Sequence, residues 1–205
     1  MDLNAYKFFL ASTSPRRREL LGSLNLSFTL KSPGFEERLE ENEKANDYVR
    51  RNGEGKSKWV ASEICSSSSE DPSEKRLVVL GADTVVVLED EILQKPKSAS
   101  EAIAMLSQLS GRTHQVLTGF AFSYQKQAQG DFFLISDVVV TEVTFKGLSQ
   151  EEIQSYVATG EPMDKAGSYG IQGKAAYFVQ KISGSYTNVM GLPLTEIYDQ
   201  LNSLP

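Results

Sequence analysis

Carboxylates, lysines, arginines and amides carry almost all the reactive chemistry this chain can offer, because it holds one histidine, His114, and one cysteine, Cys65. A Ser-His-Asp or Cys-His nucleophile needs a histidine. His114 stands in Gly111-Arg-Thr-His-Gln115 at the mouth of an expected strand, where a structural hydrogen bond is its reading. Cys65 lies in a serine-rich stretch and is read as inert, and a zinc site of the Cys/His kind is excluded by count. What remains is the inventory of metal-assisted phosphoryl chemistry, in which lysines and Mg²⁺ neutralise phosphate charge and a carboxylate orients or deprotonates water.

Three places concentrate that inventory. Asp83 lies inside Leu-Val-Val-Leu-Gly-Ala-Asp-Thr-Val-Val-Val. A charge buried in such a run costs several kcal/mol unless it is paired or metal-bound. Arg16 to Arg18 follow a Ser/Thr-rich turn at an expected helix N-terminus, which would supply anion-binding amides and guanidinium forks; three successive helix positions cannot all face one ligand. Gly160-Glu-Pro-Met-Asp-Lys-Ala-Gly-Ser-Tyr-Gly-Ile-Gln-Gly173 packs four glycines, two carboxylates, a lysine and an amide into fourteen residues with no hydrophobic period. It is read as a shaped loop for a polar small molecule.

The elements that must position these groups follow from pattern. Tyr6 to Ala11 suits a buried strand, and Ser14-Pro15 before Arg-Arg-Arg-Glu-Leu-Leu supplies an N-cap, a proline at the first helical position and a helix. Ser27 to Lys31 is a second strand. Glu43 to Ile64 is helical in pattern, although Gly53 and Gly55 each cost about 1 kcal/mol relative to alanine there. Leu77 to Leu88 is a buried strand running through a turn at Glu89-Asp90 into Glu91 to Gln94. Ser100 to Leu109 is an amphipathic helix with Ala102, Met105, Leu106 and Leu109 inward. Gln115 to Tyr124 and Phe132 to Phe145 form an antiparallel pair. Helices at Gln150 to Ala158 and Leu194 to Leu201 bracket the glycine-rich loop and a strand at Ala175 to Ile182. The sum is α/β with a mixed, partly antiparallel sheet. In such folds ligands sit beyond the carboxyl ends of strands, and the polar segments fall there, as if one site drew on distant loops.

Composition narrows the partners. With 205 residues the chain can bury a real core as one domain of two lobes. Its 21 basic and 27 acidic residues give a net charge of −6, which argues against general nucleic-acid or anionic-membrane binding. No apolar stretch approaches the ~20 residues that span a bilayer, and the N-terminal run is too short and aromatic for a signal peptide. A cytoplasmic protein is the expectation. Residues 65–76 are of low complexity and are read as a solvated surface insertion.

Taken together, the motifs resemble the Maf family of nucleoside triphosphate pyrophosphatases over nearly the whole chain. The likeness is carried by Leu-Ala-Ser-Thr-Ser-Pro-Arg-Arg-Arg-Glu-Leu-Leu at 10–21, Gly-Ala-Asp-Thr-Val-Val at 81–86, Lys-Pro at 95, Leu-Ser-Gly-Arg-Thr-His-Gln-Val at 109–116, the loop at 160–173 and Ile-Ser-Gly-Ser-Tyr-Thr-Asn-Val-Met-Gly-Leu-Pro-Leu at 182–194. The resemblance implies one domain over 1–205 with a two-lobed fold akin to inosine triphosphate pyrophosphatases. In its cleft a nucleoside triphosphate would be cut to the monophosphate and pyrophosphate. By motif position, Asp83 would be the proton acceptor and Glu37 a metal-binding carboxylate, the two together holding Mg²⁺ or Mn²⁺. Lys56 and Lys95 would contact phosphates, with Ser12, Ser14 and Arg17 at the phosphate end and Asp164 and Lys165 in the cleft loop. Gly-Ala-Asp-Thr together with Gly-Ile-Gln-Gly looks like the subgroup acting on dTTP and UTP, which makes Arg16, Thr84 and Gln172 the specificity positions. The Gln172 amide can accept from N3–H and donate to O4 of uracil or thymine.

The chain departs from the family pattern around Lys56, where Arg-Asn-Gly-Glu-Gly-Lys-Ser-Lys makes Lys58 an alternative; Glu36 likewise competes with Glu37. The family also implies a homodimer. It offers a second reading, a regulator of septum formation that binds nucleotide and acts through a partner.

Overall fold

The computed structural model describes residues 5–67 and 75–205. A first strand, β1 (Tyr6–Ala11), enters a turn capped by Ser14, whose hydroxyl accepts from Arg17 N, and Pro15 opens helix α1 (Pro15–Gly22). Strand β2 (Phe28–Lys31) pairs in parallel with β1 and is followed by the long helix α2 (Ala45–Ser67). Strand β3 (Arg76–Leu88) pairs in parallel with β1, Leu10 opposite Leu80 and Ala11 opposite Gly81, and turns back antiparallel as β4 (Glu91–Leu93).

Helix α3 (Ala99–Leu109) buries the four residues expected of it, Ala102, Met105, Leu106 and Leu109, and starts at a Ser98 cap. Strands β5 (Thr113–Gln125) and β6 (Phe132–Phe145) follow, then helix α4 (Gln150–Val157), whose Ser149 and Glu152 form a reciprocal capping box. After the glycine-rich segment come β7 (Val179–Ser183), antiparallel to β6, the one-turn helix α5 (Tyr186–Val189) and α6 (Leu194–Ser203). The strands form one mixed sheet in the order β2-β1-β3-β5-β6-β7, with β4 on β3. No helix among the described residues is long and apolar enough to cross a membrane.

Contacts divide the chain into two compact units, Met1–Asp83 with Thr118–Val138 and Gly191–Pro205, and Thr84–Leu117 with Val139–Met190. In the first, Phe9, Ala11, Val60, Ala61, Ile64 and Val79 make one apolar cluster between α2 and the sheet. In the second, Phe145 and Phe178 are fully buried, and Tyr156, Tyr169 and His114 meet them edge to face.

One expectation needs correction, and another falls mostly outside the described residues. Of the expected surface insertion at 65–76, residues 68–74 lie outside them, while Cys65 and Ser66 are exposed at the end of α2 and Arg76 opens β3. The helix runs on past the buried Ile64, with Ser66 Oγ donating to Ser62 O at 2.9 Å. The strand expected from Ala175 starts four residues later, at Val179. Ala176–Phe178 is a 3₁₀ turn in which Phe178 N donates to Ala175 O at 2.9 Å. The turn swings Phe178 fully into the core and leaves Tyr177 exposed, a local choice that apolar pattern cannot distinguish from a strand.

Candidate active site

In the first unit Asp83 is 6% exposed, and both of its carboxylate oxygens are held. Lys56 Nζ donates to Asp83 Oδ1 at 2.8 Å and to the Ala82 carbonyl at 3.2 Å. Asn52 Nδ2 donates to Asp83 Oδ2 at 2.8 Å. Lys56, 4% exposed, also reaches Glu37 Oε1 at 2.7 Å, so one buried ammonium bridges two carboxylates. Glu37 is the more open partner, with 40% of its side chain exposed.

Asn52 and Lys56 stand one helical turn apart on α2 and so share a face. That face reaches Asp83 because helix and sheet meet at backbone distance. A Cβ placed on Gly81 would lie 2.4 Å from Gly53 O and 2.6 Å from Ser57 N, and one on Gly119 would lie 2.3 Å from Val49 O. Ser57 locks the contact: its hydroxyl donates to Val79 O at 2.8 Å and accepts from Ser123 N at 2.9 Å. The segment carrying Glu37 is pinned to the same helix by Phe35, whose ring covers Gly55, and by Trp59, whose ring covers Gly34.

Glu37 and Lys56 thus join Asp83, whereas Glu36 pairs with Arg38 at 2.8 Å and Lys58 with Glu54 at 2.9 Å, both out in solvent. Ser12 Oγ accepts from Ser14 N at 3.1 Å, and Ser14 Oγ from Arg17 N at 3.5 Å. Arg17 Nε donates to Gly191 O at 2.8 Å. Burial draws the Arg17 guanidinium below its ordinary value, and the neighbouring Asp83 and Glu37 carboxylates oppose that pull. Arg16 is half-buried and Arg18 exposed, so α1 sends its three arginines to different surroundings.

The second unit holds the other sequence candidates. Thr84 is half-buried on β3; Lys95 is exposed after β4. Asp164 accepts from Lys165 Nζ at 2.7 Å, and Lys165 also donates to the Glu161 carbonyl at 2.6 Å. Gln172 is exposed. The loop is built of two short 3₁₀ turns, Glu161–Asp164 and Ala166–Ser168, with Gly167 at φ 63° and its α-carbon so close to Val86 that a Cβ would come within 2.7 Å. His114 is 2% exposed, its Nε2 2.9 Å from Tyr169 Oη, and its Nδ1 has no hydrogen-bond partner. Burial lowers its pKa to about 4, which makes it a neutral core residue and not a base.

Sequence reasoning missed Asn52, to which only a buried-face position one turn before Lys56 could have pointed. Among the described residues no group of three or more His, Cys, Asp or Glu side chains comes together as a metal cage. Two carboxylates within reach of one ammonium can still serve a hard cation, which is ordinarily held by one or two carboxylates together with substrate phosphates.

An ammonium-bridged carboxylate pair beside a half-buried arginine, on a mixed α/β sheet, is the equipment of a phosphate-handling protein. The chain belongs to the Maf-like protein family, whose model matches residues 7–204. It is 49% identical to the dTTP/UTP pyrophosphatase of Photorhabdus laumondii over 93% of this chain and 90% of that one. It is 47% identical to the dTTP/UTP pyrophosphatase of Salmonella typhimurium over 95% and 91%, and 44% identical to that of Escherichia coli over the same shares. Among solved structures, the Staphylococcus aureus Ham1 protein is similar at a TM-score of 0.42 and 14% identity, covering 96% of this chain and 98% of that one, a likeness too weak to carry an argument.

Proposed function

We propose that this chain hydrolyses nucleoside triphosphates, dTTP and UTP foremost, to the monophosphate and pyrophosphate by attack of water at the α phosphate. The observation that carries the reading is the Lys56 ammonium held between Glu37 and Asp83; the names of the relatives supply the substrate class. Asp83 takes the proton of the attacking water. Lys56, Lys95 and Arg17 oppose phosphate charge, and Ser12 and Ser14 line the phosphate end with Asp164 and Lys165 in the loop. Glu37 and Asp83 would hold a divalent cation, magnesium or manganese, with the substrate's phosphate oxygens; when bound it would supply charge neutralisation on the phosphates. Thr84, Gln172 and Arg16 read the base.

The same reading makes the chain one domain over 1–205, a cytoplasmic protein and a homodimer. The regulatory alternative has no comparable support, since the relatives named above are enzymes by name.

Pyrophosphate release from dTTP, UTP, CTP and GTP, with EDTA and after Mg²⁺ or Mn²⁺ is restored, tests this. Activity on dTTP and UTP should vanish with EDTA and return with either metal. Equal turnover of all four nucleotides, or full turnover in EDTA, would overturn the substrate or the metal assignment respectively.

A further inference from the structure

Gln172 sits on a short turn, Gly170 to Lys174, closed by Gly173 N donating to Gly170 O at 3.0 Å. Two glycines leave such a turn a wide choice of backbone conformation, so something outside it must select one. Both ends are held by side chains. At the near end Gly170 N donates to Tyr156 Oη at 3.2 Å, and at the far end Lys174 N donates to Glu161 Oε2 at 3.1 Å. The two anchors are joined, because Tyr156 Oη donates to Glu161 Oε1 at 3.0 Å.

Tyr156 is 3% exposed on α4, its ring edge-on to Phe178 at 5.2 Å. Burial pushes its phenol well above the ordinary value, so it stays a donor to the carboxylate. The turn lies directly on that carboxylate: a Cβ on Gly173 would fall 1.9 Å from Glu161 Oε1. Lys165 Nζ, donating to the Glu161 carbonyl, fixes the backbone from which the carboxylate springs.

We infer that Tyr156 and Glu161 are positioning residues for base selection, a clasp that holds Gly170 to Lys174 in one conformation and so aims the Gln172 amide. The inference rests on the base-reading role given to Gln172. The clasp touches no part of the substrate. Its loss spares phosphate binding and weakens discrimination among bases.

Tyr156→Phe deletes one oxygen and both of its hydrogen bonds while the ring stays against Phe178; Glu161→Gln keeps the volume and turns one acceptor into a donor. Both variants, Gln172→Leu and the double variant Tyr156→Phe with Gln172→Leu are compared with the wild-type chain by kinetics on dTTP, UTP and GTP, by inhibition with tripolyphosphate and by amide hydrogen exchange. In Tyr156→Phe, exchange at the Gly170 and Lys174 amides should accelerate, and kcat/KM for dTTP and UTP should fall about tenfold, the equivalent of roughly 1.4 kcal/mol, through KM. Turnover of GTP and inhibition by tripolyphosphate should stay as in wild type. Added to Gln172→Leu, Tyr156→Phe should change the dTTP/GTP ratio no further, the non-additivity expected of residues that act through one another.

A loss shared equally by dTTP and GTP, an additive double variant, or unchanged exchange at the two amides would each reduce Tyr156 and Glu161 to structural residues. A preference for dTTP and UTP that survives in Tyr156→Phe and Glu161→Gln but is abolished by Gln172→Leu overturns the clasp alone. A wild-type chain that does not prefer dTTP and UTP, or a Gln172→Leu variant that discriminates as well as wild type, removes the base-reading role and the clasp with it.

Discussion

Asp83 is a buried carboxylate with a donor on each oxygen. Lys56 and Asn52 each donate to one of its oxygens, and the desolvation that makes a lone buried carboxylate costly is offset by that ammonium and amide. Asp83→Asn preserves volume but takes one of two carboxylates from the buried Lys56 ammonium and removes the group proposed to accept the proton. Turnover of dTTP should fall on the order of 10²-fold or more, roughly 3 kcal/mol of transition-state stabilisation, with the far-ultraviolet circular dichroism of the wild type retained. A variant with near-wild-type kcat would make Asp83 a structural ion-pair member. Asp83 was legible in the sequence because a charge in an apolar strand demands a reason. Asn52 was not, because a buried asparagine in a helix is recognised only once the carboxylate it faces, thirty-one residues away along the chain, is in place.

At the scale of elements, the helix that delivers Asn52 and Lys56 is the one whose sequence argued most against itself. Gly53 and Gly55 lower helix propensity, yet each is the space another group occupies: Gly119 O approaches the first and the Phe35 ring the second. Tertiary packing outweighs a local cost of about 1 kcal/mol per glycine, and that packing is invisible in a window of twenty residues. By contrast, the Ser14-Pro15 start of α1 and the inward face of α3 were legible, because caps and apolar periods act within one or two turns.

The helix–sheet contact yields its own prediction. Gly81→Ala puts a methyl against Gly53 O and Ser57 N, backbone atoms that cannot rotate away, and should destabilise the protein by roughly 3 kcal/mol in urea unfolding, the upper end of overpacking costs. It should also slow turnover, since the shift that relieves the clash moves Lys56 off Asp83. Gly22→Ala, at the end of α1 with nothing within 4 Å of the added carbon, is the control and should leave stability equal or raise it by about 0.4–1 kcal/mol. Equal midpoints for the two variants would mean that the helix and sheet are not held at backbone contact.

For the molecule as a whole, the single histidine ties stability to pH. His114 is buried among Phe145 and Tyr169, with one ring nitrogen on the Tyr169 hydroxyl and the other without a partner, so protonation would place a charge in an apolar core that has no counter-ion for it. Its pKa of about 4 lies below the ordinary 6.5, and the unfolded chain therefore binds the proton first as pH falls. Above pH 6.5 both states carry a neutral ring and the residue contributes no slope. Between 6.5 and about 4 the unfolded state gains protons that the folded state does not, so stability falls with falling pH. Below about 4 the loss is complete, at about 3 kcal/mol for a depression of that size. Carboxylates add their own acid-side loss, so the test is a difference: unfolding free energies of the wild type and of His114→Leu, measured from pH 8 to 4. Near pH 8 the variant should be less stable by its missing hydrogen bond, and that deficit should shrink steadily as pH drops through 6, vanishing or reversing toward pH 4 where the wild type has lost about 3 kcal/mol. A deficit that stays constant across that window would show that the imidazole takes up its proton as readily in the folded protein as in the unfolded chain, and would return His114 to the list of groups that could act as a base near neutral pH.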